Sequence, residues 1–335
     1  MALTKVSTGV VDMSQDTGGL VIAKGTTAQQ PTCDASTLGS IRENTTENKV
    51  EVCTSTGWQF LEEAGTVLPN LNVDYLVVAG GGSGGSRNGA NGSGSGGGGA
   101  GGLLTSFGNN SGGGASSGNT LTLSTSTNYT VTVGLGGAGV SSPPNTYSLG
   151  NNGQDSVFST ITSTGGGAGA SGTLNASAGG SGGGAGFLGT GGSRISSPIQ
   201  GYEGASSTNQ GNPYPAAGGG GAGSPGTSPA GSTPGSGGVG LSVSITGNSV
   251  TYAAGGDGCI WTSGGSSNAT ANTGNGSDGA ATAPSGSGGS GVVILRYPDA
   301  YSTTKTGLTS SVDSTTVPGF KIETFLSGTG TITFA

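Results

Sequence analysis

The sequence predicts an all-β protein: a small N-terminal β-meander, then a β-sandwich carrying an inserted polyglycine-II helix bundle, with no α-helix expected. Three observations carry the prediction. Of the 77 glycines, 66 fall between residues 80 and 291. Islands of alternating apolar and polar residues interrupt them, the period of a half-buried strand. No helical period appears, and Gly recurs every two or three residues even where Ala is frequent, which costs a helix about 1 kcal/mol at each site. Glycine loses the most backbone entropy on folding, so a stretch this rich in it either stays a flexible coil or packs bare backbone against bare backbone.

Composition removes several classes of function. Only 30% of the 335 residues are hydrophobic and 7% charged, too little apolar volume for one conventional large core. The net charge is −7, and the nine Lys and Arg residues are scattered singly. With no basic arm or stripe to neutralise phosphates, nucleic acid is not an expected partner. The opening MALTKVST lacks the apolar stretch of a secretory signal, and no run approaches the roughly 18 apolar residues of a membrane span. Synthesis in a cytoplasm, without membrane insertion, is the expectation. Histidine is absent and the cysteines, Cys33, Cys53 and Cys259, include no CxxC pair, so neither metal nor cofactor is expected.

Two domains are expected, 1–68 and 69–335. In the first, Leu20-Val21-Ile22-Ala23 reads as a short strand and Gly25-Thr26-Thr27-Ala28-Gln29-Gln30-Pro31 as an extended loop, Pro31 holding Gln30 out of helix. Residues 41–43, the polar turn Asn44-Thr45-Thr46-Glu47-Asn48 and residues 49–53 alternate as a hairpin, and a turn at Gly57 leads to Trp58-Gln59-Phe60-Leu61. Such a three-stranded meander is marginal alone in water. Trp58, Phe60 and Val52 are therefore expected to bury against copies of themselves in neighbouring subunits. Cys33 and Cys53 bracket the hairpin, either as a disulfide closing its base or as two small half-buried thiols.

In the second domain, sandwich strands are expected near 73–79, 119–134, 291–297 and 320–334, and the polyglycine-II bundle over 80–290. Shorter islands at 156–162, 241–245 and 249–252 also alternate, with Gly247-Asn248 suited to a tight hairpin turn. Residues 299–319 read as a Ser/Thr-rich connection. Polyproline-II-type helices have three residues per turn and no internal hydrogen bonds, so every N–H and C=O is free for a neighbour. If the contacting faces carry only Cα hydrogens, such helices can lie side by side. The runs 96–102, 165–169, 179–186 and 218–223 fit that requirement, separated by spacers rich in Pro, Asn and Ser.

Familiar catalytic patterns are weak. Gly80-Gly81-Gly82-Ser83-Gly84-Gly85 satisfies GxGxxG, but no helix pattern follows it and no acid lies about 20 residues on. Without histidine there is no triad, and the acids Asp155, Glu203, Asp257 and Asp278 are too separated in sequence to define a glycosidase pair. The chain is read as non-catalytic.

The segment 25–59, with Leu38-Gly39-Ser40-Ile41-Arg42 and Val50-Glu51-Val52-Cys53-Thr54-Ser55-Thr56-Gly57-Trp58-Gln59, resembles a repeat common in bacteriophage tail-fibre and virion proteins, Glu43 standing where the repeat has an aromatic residue. The blocks Asp74-Tyr75-Leu76-Val77-Val78-Ala79-Gly80-Gly81-Gly82, Tyr129-Thr130-Val131-Thr132-Val133-Gly134, Gly291-Val292-Val293-Ile294-Leu295-Arg296-Tyr297 and Gly330-Thr331-Ile332-Thr333-Phe334 resemble the glycine-rich domain of phage tail fibres. The bundle is similar in kind to that of T-even-type phage adhesins, whose loop tips touch the receptor. This resemblance implies a trimeric virion tail-fibre adhesin, made in the host cytoplasm, with other virion proteins and a host cell-surface glycan or outer-membrane protein as partners. The alternatives are a structural decoration or head-fibre protein and a polysaccharide-degrading tailspike. Aromatic and Arg side chains on loops held by a rigid scaffold carry recognition energy, which makes Tyr147, Arg194, Tyr202, Tyr214 and Trp261 the receptor-binding candidates. Phe107, Phe187 and Trp261 also qualify as wedges sealing the bundle's edges.

Overall fold

Side chains that alternate across a short sheet set up the N-terminal unit, residues 1–68; residues 69–335 form a second compact unit. The computed structural model describes residues 22–60, 70–88, 92–208, 211–262, 267–282 and 284–335. In the first unit β1 (Ala23–Gly25), β2 (Ile41–Asn44), β3 (Lys49–Thr54) and β4 (Gly57–Phe60) form one sheet in that order. The short strand expected at 20–23 joins the meander as a fourth strand, because β1 pairs parallel with β2. It begins later than expected, at Ala23; Leu20, Val21 and, at the far end, Leu61 lie outside the described residues. The loop after it holds a 3-10 turn, Thr27–Gln29.

Its covered face is polar, which a search for apolar alternation misses. Arg42 and Glu51 pair at 3.2 Å with side chains 6% and 2% exposed, and the carboxamides of Gln30 and Asn44 donate to the same carboxylate. Cys33 and Cys53 are joined as a disulfide, with Cα atoms 5.5 Å apart. Trp58 is half-buried within its own chain, its Nε1 donating to the Pro31 carbonyl at 2.8 Å. Phe60 is exposed and Val52 half-buried.

In the second unit, β5 (Asn72–Val78), β6 (Ser86–Asn88), β7 (Leu103–Thr105), β8 (Leu121–Thr122), β9 (Asn128–Thr132), β10 (Thr146–Ser148), β11 (Ser156–Phe158), β12 (Ile161–Ser163), β13 (Leu241–Val243), β14 (Val250–Tyr252), β15 (Val292–Pro298), β16 (Thr303–Asp313) and β17 (Phe320–Phe334) follow in turn. There is no α-helix among the described residues. One sheet runs β12-β11-β9-β17-β15-β5-β7, with β16 on β17 and β8 on β5. The first half of β17 pairs with β15 and the second half with β9, the change falling at Gly328, whose φ is +106°. The sheet therefore folds over itself and nearly closes, Ser163 of β12 donating to the Val77 carbonyl of β5 at 2.8 Å.

Inside this curl, Val73, Tyr75 and Val77 pack with Val131, Phe158, Val293, Leu295, Phe325, Ile332 and Phe334. The opposite face of β5 and β15 is also covered: Leu76, Val78, Val292 and Ile294 meet Leu103, Val243, Ile245 and Tyr252. Burial on both faces explains the unbroken apolar runs of these two strands. Two expectations are corrected. The Ser/Thr-rich connection is in large part β16, a polar edge strand that shows little apolar alternation, and 156–162 is a hairpin turning at Ser159, φ 53°.

The glycine region is ordered by hydrogen bonds that recur every third residue. Gly96, Gly99 and Gly102 donate to Ala170, Gly167 and Thr164; Gly97 and Ala100 donate to Ala217 and Gly220; Gly98 and Gly101 donate to Ser277 and Gly274. In return the carbonyls of Gly96, Gly99 and Gly102 accept from Gly85, Gly82 and Ala79, those of Gly97 and Ala100 from Gly184 and Ser181, and those of Ser95 and Gly98 from Cys259 and Gly256. One central segment thus touches six neighbours, three through its donors and three through its acceptors. This is the three-fold screw of a polyglycine-II helix in side-by-side array. A Cβ added at Gly96, Gly97, Gly98 or Gly99 would overlap the carbonyl of Gly184, Gly256, Gly82 or Ser181 respectively. At the rim, side chains take over: Asn152 and Asp155 accept the amides of Ala168 and Gly165 at 2.8 Å.

Candidate functional site

The central segment gives the bundle two ends. Gly102 bonds to Ala79 and precedes β7, so it lies at the sandwich; Ser95 lies at the opposite end, bonded to Cys259. Chain reversals at that distal end bring together Tyr147, Phe187, Tyr214 and Trp261. Gly94 donates to the Tyr214 carbonyl and Trp261 to the Pro213 carbonyl, which ties both loops to the end of the central segment.

The aromatic rings are seated on glycine. Space for a Cβ at Gly92 is filled by the Trp261 ring, and at Gly172 by the Tyr147 ring. Trp261 Nε1 donates to Asn212 Oδ1 at 3.2 Å, and Phe187 meets Tyr214 edge to face, with centroids 4.9 Å apart at 68°. Together with Gly92, Ser93 and Asn212 they line an open cavity of about 440 Å³. Tyr147 of β10 pairs across the strands with Arg87 of β6, whose guanidinium carbon is 5.2 Å from the tyrosine ring centroid. Arg87 is 3% exposed, and its Nε and Nη1 have no hydrogen-bond partner among the described residues. The same holds for Ser93 Oγ in the cavity wall, in a residue 2% exposed.

Three of the five candidate residues, Tyr147, Tyr214 and Trp261, therefore share one site, and two do not. Arg194 and Tyr202 sit on the bundle's flank: Gly182 donates to the Tyr202 carbonyl, and Ile195, next to Arg194, donates to Gly179. The spacer that contains them runs along the outer layer instead of capping an end. There Arg194 stacks on Tyr202 at 5.6 Å and lies 3.7 Å from Glu203, partly exposed. Phe107 packs against a cluster that joins sandwich residues to Ala100 and Ala222 of the bundle, with the Arg296 guanidinium carbon 5.1 Å from its ring centroid. Ser93 and Asn212, which line the cavity, were not singled out in the sequence, and Arg87 was legible only as one of the large side chains between the glycine runs. It is one of two cations in the whole region of residues 80–291.

The acids have scaffold roles. Asp278 accepts the Asp257 amide at 2.8 Å, and Asp257 accepts the Gly237 amide at 2.7 Å. Burial pushes the Asp278 carboxyl above its usual range, against the pull of that amide and with help from the charge of Asp257. Cys259, buried beneath the tip, has its thiol pushed up to about 11, chiefly by burial. No group of three or more Cys, Asp or Glu side chains among the described residues could hold a metal ion, and no helix among them is long and apolar enough to cross a membrane.

A family model described as a glycine-rich domain matches residues 62–298. That is more than half of the chain, and the protein belongs to this family. No curated protein and no solved structure matches it.

Proposed function

We propose that this member of the glycine-rich domain family is a bacteriophage virion protein, a tail-fibre adhesin that binds a host cell-surface receptor without catalysis. One observation carries the reading: Tyr147, Phe187, Tyr214 and Trp261 converge in an open cavity at the end of the bundle away from the sandwich. Recognition needs side chains whose positions are fixed before binding, because ordering them afterwards costs affinity. A lattice of main-chain hydrogen bonds, with no long side chains to repack, supplies such a support. Aromatic anchors in a concave site are the usual centres of binding energy. The N-terminal unit, with a disulfide and little apolar core, is assigned attachment to other virion proteins and to further copies of the chain, a trimer by resemblance.

Competition for adsorption tests this. Purified protein incubated with host cells should reduce adsorption of the parent phage, and Trp261→Ala should weaken that block at least tenfold while leaving the melting temperature unchanged. Wild-type protein that leaves adsorption untouched, or a block indifferent to Trp261→Ala, would overturn it.

A further inference from the structure

We propose that the distal cavity is a site for an uncharged saccharide, a neutral pyranose stacked on the Trp261 ring and met at its hydroxyls by Asn212, Tyr147 and Tyr214. This deepens the adhesin reading and rests on it for the glycan's place on another cell.

The backbone marks this end of the bundle. Among the described residues eight non-glycine residues have a positive φ, and six of them are Asn, Ser or Ala. The two large ones are Leu188, at 65°, and Tyr214, at 53°. Both stand here, Leu188 directly after Phe187 and Tyr214 in the cavity wall. A bulky residue in the left-handed region carries a cost that glycine or asparagine avoids, and such costs gather where a side chain must be held in one place. Twelve described glycines adopt a positive φ in this chain. At Tyr214 the backbone asks for a thirteenth, so the tyrosine stands there for its side chain.

The wall then selects the ligand. No charged side chain lines the cavity, whose volume of about 440 Å³ is that of a small-molecule site. Arg87, beside the Tyr147 ring, is 3% exposed and is not part of the wall. Trp261 rests one ring face on Gly92, and no other ring or cation among the described residues stacks on it. The opposite face is of the kind that covers the C–H side of a pyranose. Because Trp261 Nε1 donates to Asn212 Oδ1 at 3.2 Å, the Asn212 carboxamide is oriented and its Nδ2 donors are left over. Neither Nδ2 nor the hydroxyls of Tyr147 and Tyr214 have a partner among the described residues. An amide donor and two phenols, each able to give and to accept, match sugar hydroxyls, which do both. An aliphatic side chain of a protein partner would use the rings and leave these polar groups unmet. An acidic sugar would bring a charge for which the wall has no counterpart.

Full-length protein titrated with the methyl glycosides of glucose, galactose, mannose and N-acetylglucosamine, with glucuronic acid and with N-acetyl-leucinamide, followed by saturation-transfer NMR and tryptophan fluorescence, tests the proposal. At least one neutral glycoside should bind ten times more tightly than glucuronic acid or the leucine amide, with transfer strongest at the C–H protons of one sugar face and a shift in tryptophan emission. Trp261→Ala should weaken that binding at least tenfold and remove the shift, Tyr214→Phe and Asn212→Ala should each weaken it several-fold, and Tyr202→Ala on the flank should leave it unchanged. Tyr214→Gly should lose binding without lowering the melting temperature, whereas a tyrosine present for packing alone would give the opposite pair of results. Binding of none of the neutral glycosides, a preference for glucuronic acid or the leucine amide, or neutral binding that survives Trp261→Ala would overturn it. Should Trp261→Ala fail to fold, the wild-type ranking and Tyr214→Phe still decide. Protein that blocks phage adsorption yet binds no neutral glycoside sinks this proposal and leaves the adhesin reading standing; neutral-sugar binding without any block does the reverse.

Discussion

Gly166 gives its amide proton to the Gly80 carbonyl at 2.8 Å, and the place where its side chain would stand is filled by the carbonyl of Gly99. The same residue thus links two segments through its donor and admits a third through its missing Cβ. Repeated across the bundle, this replaces side-chain packing by main-chain contact. Each such hydrogen bond contributes about 1 kcal/mol net, so the array is strong only because it is dense.

Gly166→Val should destabilise the second unit by about 3 kcal/mol or more, since no atom near Gly99 can move without breaking other lattice bonds. For a domain of this size that is a fall in melting temperature of roughly 10 °C. Leu135→Ser, at a residue 57% exposed, should change stability by less than about 0.5 kcal/mol. Equal melting of the two variants would contradict a packed bundle.

Amide hydrogen exchange should be slowest across residues 96–102, whose donors all end on neighbouring carbonyls. Exchange there at the rate of an unstructured peptide would mean that the array opens freely.

Cys259 should resist alkylation. Its thiol is buried and pushed up to about 11, and the Ser95 amide donates to its Sγ at 3.3 Å. With Cys33 and Cys53 in a disulfide, iodoacetamide at pH 8 should label the unreduced native protein hardly at all and the urea-unfolded protein once. Rapid native labelling would show that the tip detaches from the end of the central segment.

Asp278→Asn should stabilise the protein at neutral pH. The folded-state carboxyl is raised by burial, so the folded state binds the proton more tightly than the unfolded chain, and wild-type stability falls as pH rises through the folded value. The variant keeps an oxygen for the Asp257 amide but carries no charge to desolvate. Its advantage should shrink as pH falls below the ordinary carboxylate range, where wild-type Asp278 is neutral in both states. Denaturant midpoints at pH 3 and pH 7 measure this, and an advantage equal at both would refute the assignment.

The strands with both faces buried, β5 and β15, were legible because their apolar runs need no partner to be recognised. β16 was not: Thr303, Thr304, Thr306, Thr309, Ser310 and Ser311 carry no apolar period, and the strand exists because β17 offers it a ladder of hydrogen bonds along its length. The bundle could be inferred from glycine runs, whereas its neighbour pattern could not, since glycines have no side chains to encode who lies beside whom. Tyr147, Tyr214 and Trp261 were visible as large side chains in loops. Arg194 and Tyr202 looked the same in sequence, and only the path of their spacer along the flank separates them from the tip. Ser93 gave no pattern at all, because what distinguishes it is a buried hydroxyl with no hydrogen-bond partner among the described residues.

A three-residue repeat of contacts has a built-in degeneracy. If a segment such as 96–102 slid by one turn, about 9 Å along its axis, each amide would again face the same neighbour, and nothing in the glycines would resist the slip. What forbids it are the few off-pattern groups: the methyls of Ala100 and Ala222 set against Leu76, Val78 and Ile294, and the rim acceptors Asn152 and Asp155, each of which fits one position only. The alignment of the whole array is therefore entrusted to a handful of side chains, and insertions of three residues at its loops are the length changes it should tolerate best.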